Sequence, residues 1–165
     1  QACIFYHNFL SQRKMRNLLI AAMFHDFDHS GMAGNDDLNI ARATRGFNKY
    51  TLPEDFSSAE EITLLIQATE FPRKHESSEH LSLCARILQD ADMCQALNEV
   101  WLQQTVFGLA DEWGKKPIEI LSAQEAFLSN LKLQTKWAQA MFPQSQIDDK
   151  ISEAKELLEI LAQGQ

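Results

Sequence analysis

The stretch NLLIAAMFHDFDHSG, residues 17–31, decides how the chain is read. Leu18 to Phe24 are apolar throughout; then His25, Asp26, Asp28 and His29 follow, and Gly31 closes the run. Met15, Leu18, Leu19, Ala22 and Met23 recur at helical spacing, so residues 12–25 are predicted to form a helix. Four titratable side chains at the end of an apolar helix are costly to bury unless they hold something. Imidazole nitrogen and carboxylate oxygen are both good ligands for a divalent transition metal. Neighbours on a straight helix point about 100° apart. A His-Asp pair therefore shares one ion only where the helix ends and the backbone turns, and Gly31 with the polar run after it supplies that end.

A third ligand must come from elsewhere. Carboxylates follow an apolar helical run a second time in LCARILQDADM, residues 83–93. Asp90 and Asp92 are two apart and face different ways on a helix. One is expected to reach a buried site while the other faces solvent. Asp28 and His29 have a plainer use as cap and turn residues, as do Asp36 and Asp37 at the start of the next helix. His75 and His80 are expected on the surface, and Cys84 and Cys94 in the core.

The remaining chain also reads as helix. Ser57 and Glu60 match a capping box ahead of Ile62, Leu65, Ile66 and Thr69, with Pro72 ending that helix. Another is expected from about Ser78 to Ala91, with an extension to Leu97. Val100–Trp113 is closed by Gly114. Ser122 and Glu125 form a second capping box ahead of a helix that ends before Pro143, and Ile147–Leu161 carries a final apolar stripe. Loops are expected near 27–37, 46–56 and 72–77. No segment alternates like a strand. The expectation is an all-α, compact bundle of about seven helices, forming a single domain over residues 1–165.

Composition narrows the function classes. Of 165 residues, 45% are apolar and 23% charged, as in an ordinary globular chain. No run approaches the roughly 20 apolar residues of a membrane span, and no N-terminal segment suggests secretion. Three cysteines without a CxxC pair are expected to be free thiols in a reducing, cytoplasmic setting. A net charge of −8 argues against nucleic acid as a partner. A small anionic substrate stays open, because a bound cation dominates its local field.

The motifs taken in order resemble a family. HD followed by a distant Asp is similar to the signature of the HD-domain metal-dependent phosphohydrolases, and the closer resemblance is to the catalytic domain of the cyclic nucleotide phosphodiesterases. YHN at 6–8 resembles the start of that family's YHNxxH motif. HDFDHSGMAGN at 25–35 resembles HDxDHxGxxN with one extra residue before Asn35. ATEFPRKH at 68–75 and WAQAMFP at 137–143 are similar to further family stretches. Gln124 and Phe127 fit a QxxF spacing. The matches span nearly the whole chain, which is about half the length of better-known members.

The resemblance implies a phosphodiesterase-like fold and hydrolysis of 3′,5′-cyclic nucleotides to 5′-monophosphates by a metal-bridging hydroxide. His25, Asp26 and Asp92 would hold the tighter ion, zinc or another transition metal. Asp26 would bridge to a second, Mg²⁺ or Mn²⁺. His7 would protonate the leaving oxygen, and His29 would stabilise charge on the phosphate. Gln124 would bond the base edge and Phe127 stack on its face. Their plainer uses, a helix N-terminal residue and a core aromatic, are equally open. The partner implied is a small nucleotide, with no nucleic acid or membrane. Another nucleotide phosphohydrolase, or a degenerate module that binds without turnover, is the alternative.

One position departs from the family. A metal histidine is expected four residues after His7, and Ser11 stands there. Either residues carrying it are missing between Asn8 and Arg13, or three side chains make the site, or His7 itself becomes a ligand.

Overall fold

The computed structural model describes residues 1–31, 36–71 and 81–163. All regular structure among them is helical. The chain divides into two compact units, Gln1–Asp92 and Met93–Gln165. The first holds α1 (Ala2–Phe5), α2 (Gln12–Phe24), α3 (Asp36–Tyr50), α4 (Ala59–Gln67) and all of α5 (Leu83–Met93) but its last residue. The second holds α6 (Gly108–Glu112), α7 (Pro117–Asn130), α8 (Lys136–Met141) and α9 (Gln144–Gln163). No described helix is long and apolar enough to cross a membrane.

In the first unit, Ser11 caps α2 by accepting the Lys14 amide at 3.2 Å. Leu18 and Ala21 of α2, Phe47 of α3, and Ile62, Leu65 and Ile66 of α4 are buried, as are Cys84, Ile87 and Leu88 of α5. Polar bonds align the helices. Asn17, fully buried on α2, donates to Glu61 on α4 at 2.8 Å. Arg16 grips Asp55 with Nε on Oδ1 and Nη2 on Oδ2, both at 2.8 Å, and Arg13 reaches Asp55 Oδ1 at 3.3 Å. Asp55 is 2% exposed and belongs to a 3₁₀ turn, Pro53–Ser58, that leads into α4. Gln89 of α5 donates to the Ala68 carbonyl at the end of α4.

The second unit packs α7 against α9. Trp101, Val106, Ile120, Leu121 and Ala154 form one buried cluster; Leu97, Leu128 and Ile147 form another. Trp101 Nε1 donates to Glu153 at 3.1 Å, so its buried ring keeps a partner for its one polar atom.

Nine α-helices among the described residues replace the expected seven or so. Several boundaries move for identifiable reasons. Ser57 does not cap α4: its hydroxyl accepts from Arg13 at 2.9 Å, and the helix starts later, at Ala59. The expected loop at 46–56 is helical as far as Tyr50. Ser122 lies inside α7, donating to the Glu119 carbonyl at 2.9 Å. That helix starts at Pro117, and Glu119 accepts the Lys116 backbone N–H at 2.8 Å. Proline at the first helical position was the better start signal. Backbone at Leu131 turns extended (ψ 121°), and Thr135 caps a new helix by accepting the Ala138 amide at 3.3 Å. α5 starts at Leu83, with the Ser82 hydroxyl accepting the Ala85 amide at 3.2 Å. Asp90, expected to face solvent if Asp92 reached a site, is 1% exposed. Gly114 closes the stretch before α7 with φ 60°. Cys84 and Cys94 are both buried, as expected. Asn35, Pro72, His75, Ser78 and His80 lie outside the described residues.

The Arg16–Asp55 fork predicts a measurable asymmetry. Asp55→Asn should lower the thermal midpoint clearly, and Glu54→Gln, whose carboxylate is exposed, should barely move it. The Arg16 guanidinium holds the Asp55 carboxyl below its usual value. A lowered acid stabilises the fold above its unfolded-state value, so this contribution is lost as pH falls through the lowered one. Melting followed by circular dichroism across an acid series checks both; equal shifts in the two variants would count against the fork.

Candidate metal centre

The site begins where α2 stops. His25 is the C-cap, still helical at φ −57° and ψ −34°, with its amide on the Ala21 carbonyl at 2.9 Å. Two further bonds wind the turn: Phe27 N–H to the Phe24 carbonyl at 2.9 Å, and His29 N–H to the Asp26 carbonyl at 3.2 Å. Asp28 then takes a left-handed φ of 59° and the chain leaves the helix direction. That conformation suits aspartate better than most side chains. Arg42 donates to the Asp28 carbonyl at 3.3 Å, so Asp28 has the turn role that its spacing suggested.

This turn brings together what a straight helix keeps apart. His25 Nε2 lies 3.2 Å from Asp26 Oδ2 and 3.6 Å from Asp92 Oδ1. The three ligand atoms all lie within 4.8 Å of one another. An ion held tetrahedrally at about 2.1 Å separates its ligands by about 3.4 Å, so the two spacings from His25 bracket what such an ion needs. Asp92 comes from the last turn of α5.

His25 is oriented for ligation. Its Nδ1 donates to the Ala22 carbonyl at 2.8 Å. That bond places the proton on Nδ1 and turns the Nε2 lone pair toward the carboxylates, the usual outer support of a ligating histidine. The carbonyl end of α2 adds partial negative charge at the same place. Interaction with Asp26 first, then Asp92, outweighs burial and pushes the His25 imidazole up to about 10. Asp26 moves the opposite way, lowered by His25 against burial, with His29 adding to the effect. A proton on Nε2 and a divalent cation thus compete for the same three atoms. The side chain of Asp26 is 68% exposed against 19% for His25 and 25% for Asp92.

Other expected residues lie elsewhere. His7 and His29 are outside the three-residue group. His7 is exposed and donates from Nδ1 to the Ile4 carbonyl at 2.8 Å. Ser11, which stands where a further metal histidine was expected, is the cap of α2. In the second unit, Gln124 is buried and donates from Nε2 to Ile120 in its own helix at 3.2 Å, while its Oε1 has no partner among the described residues. Phe127 packs beside the Leu97, Leu128 and Ile147 cluster.

Sequence reasoning missed the anchor of the turn. Phe27 follows Asp26 and packs at 5.7 Å from Phe24 and 5.8 Å from Tyr50, centroid to centroid. Its ring occupies the space where a side chain on Gly46 would start: a Cβ there would meet Phe27 Cδ1 at 2.2 Å. Glycine inside α3 was a signal that something approaches closely, but nothing in the sequence said what.

No family model, curated protein or solved structure matches the chain.

Two outcomes follow from this geometry. Gly46→Ala improves helix propensity by about 1 kcal/mol, yet the clash with Phe27 should leave it less stable than wild type by roughly 1–3 kcal/mol. Its affinity for Mn²⁺, read by titration calorimetry, should fall as the turn shifts; a more stable variant with unchanged affinity would remove Phe27 as anchor. The raised imidazole sets the second outcome. A raised base stabilises the fold below its unfolded value of about 6.5 and loses that contribution as pH climbs through about 10. Without added cation, denaturant midpoints should fall across that window, and His25→Gln should flatten the slope. Added Zn²⁺ should release protons on binding.

Proposed function

We propose that the chain is a metal-dependent phosphoester hydrolase of the HD type, with His25, Asp26 and Asp92 as its metal ligands. The convergence of these three side chains, with His25 already oriented by Ala22, carries the reading. The donor set suits a transition ion such as Zn²⁺ at the tighter position, and the exposed Asp26 carboxylate suits a bridge to Mg²⁺ or Mn²⁺. When bound, such ions lower the pKa of water near them and draw charge from phosphoryl oxygens. The protein's own contributions are three. Asp26 and Asp92 supply the negative charge that retains cations beside an anionic substrate. His29, in the same turn, stands near enough to influence Asp26, and we assign it to the phosphate. His7, with Nδ1 committed to Ile4, has Nε2 as the nitrogen to exchange a proton with a leaving oxygen.

For substrate, the reading favours 3′,5′-cyclic nucleotides. Motif order supports it. The packing of Phe127 beside a core cluster lends no support. A second reading, a module that binds nucleotide without turnover, is favoured by Ser11, whose position in the family carries a further metal ligand.

The test is hydrolysis of cyclic AMP, cyclic GMP and bis-p-nitrophenyl phosphate with Mn²⁺, Mg²⁺ or Zn²⁺, before and after chelation. Asp92→Ala should reduce turnover of all three esters at least about 100-fold. Tight cation binding with no turnover selects the binding module, and turnover indifferent to Asp92→Ala defeats the hydrolase reading.

A further inference from the structure

Asn39, Arg42 and Gly46 are spaced three and four positions apart on α3, so they line one face of that helix. This face meets the metal turn. Asn39 accepts the Ser30 backbone N–H at 2.9 Å, Arg42 Nη1 donates to the Asp28 carbonyl at 3.3 Å, and Gly46 leaves the space that Phe27 fills. Arg42 is half-buried, and its bond goes to the carbonyl of Asp28, not to the exposed carboxylate. Arg13 and Arg16 are spent on Asp55. Arg42 pairs with no carboxylate among the described residues. A guanidinium has five N–H donors in a fixed fork, and the Asp28 bond uses one of them. The Asp28 carbonyl carbon is bonded to the His29 nitrogen, whose N–H reaches the Asp26 carbonyl at 3.2 Å. These contacts place Arg42 Nη1 within roughly 9 Å of the Asp26 carbonyl oxygen, inside the span of one phosphoester ligand.

We infer that Arg42 is the anion anchor of the metal centre, binding one phosphoryl oxygen while a cation on His25, Asp26 and Asp92 binds another. The inference rests on the hydrolase reading. A phosphodiester has two oxygens outside its ester bonds, and this arrangement gives each a positive partner. Charge supports the assignment. The centre brings two carboxylates in a chain of net charge −8, so an approaching anion needs fixed positive charge besides the ion. Arginine suits the task because it stays charged and its fork meets oxyanions with two N–H groups. Its bond to Asp28 ties the fork to the turn, and the contacts of Asn39 and Gly46 fix the register of α3 beside it.

Titration calorimetry of the full-length, Mn²⁺-loaded chain with inorganic phosphate tests the anchor. Arg42→Gln should weaken phosphate binding about 10- to 100-fold while Mn²⁺ binding holds. Arg42→Lys keeps the charge without the fork and should fall between the two. A wild-type chain that binds no phosphate, or binds it no better than Arg42→Gln, overturns the inference. So does an equal loss of phosphate and Mn²⁺ affinity in Arg42→Gln, which would make Arg42 a prop for the turn. Should Arg42→Gln fail to fold, the wild type decides. Phosphate with Mn²⁺ should slow phenylglyoxal modification of Arg42, mapped by mass spectrometry, and unslowed modification overturns the anchor. The hydrolase reading fails separately. Phosphate binding that depends on Arg42, with no turnover of the three esters, leaves the anchor standing in a chain that only binds. Ester turnover that needs Asp92, with phosphate binding indifferent to Arg42, removes the anchor alone.

Discussion

One hydrogen bond, from His25 Nδ1 to the carbonyl of Ala22, organises the site. Without it the imidazole could turn either nitrogen toward the carboxylates and could swing off the end of α2. With it, Nε2 is the nitrogen that Asp26 and Asp92 face. The bond exists because His25, the C-cap of α2, keeps helical backbone angles one turn beyond a carbonyl that the ending helix leaves accessible. The position of His25 relative to the helix end is therefore as important as its identity.

The surroundings of that bond are built to keep the turn in place. Phe27 fills the space over Gly46, Arg42 holds the Asp28 carbonyl, and Asn39 holds Ser30 and His29. All three partners come from α3. Asp92 is brought in by α5, which Gln89 ties to the end of α4. The Arg16–Asp55 fork and the Asn17–Glu61 bond set α2 against the 3₁₀ turn and α4. Four helices thus fix three ligand atoms to within a few ångströms.

Much of this was legible in the sequence. All-helical structure followed from apolar spacing, and α2 ends within one residue of its expected limit. The His25–Asp26 pair could be placed at a helix end because two adjacent side chains cannot otherwise converge. Asp92 was favoured over Asp90 only through the family resemblance; two carboxylates two residues apart look alike to any pattern. The capping boxes failed because a serine followed by a glutamate three residues on says nothing about rival partners. Arg13 takes the Ser57 hydroxyl from a position 44 residues away, and Pro117 starts α7 before Ser122 is reached. Asn39 was invisible as well: an asparagine on an amphipathic helix signals burial and bonding only once its partners are known.

His25 and Asp92 are also far apart in sequence, with about 65 residues between them. A cation held by both would be a cross-link as well as a reagent. It would close about three quarters of the first unit into a loop, joining the end of its second helix to the end of its fifth. Closing so long a loop restricts the unfolded chain, and ligand binding to the folded state alone adds stability in proportion to the logarithm of cation concentration. The same ion would then act as a staple, making the integrity of this unit depend on the cation supply around it.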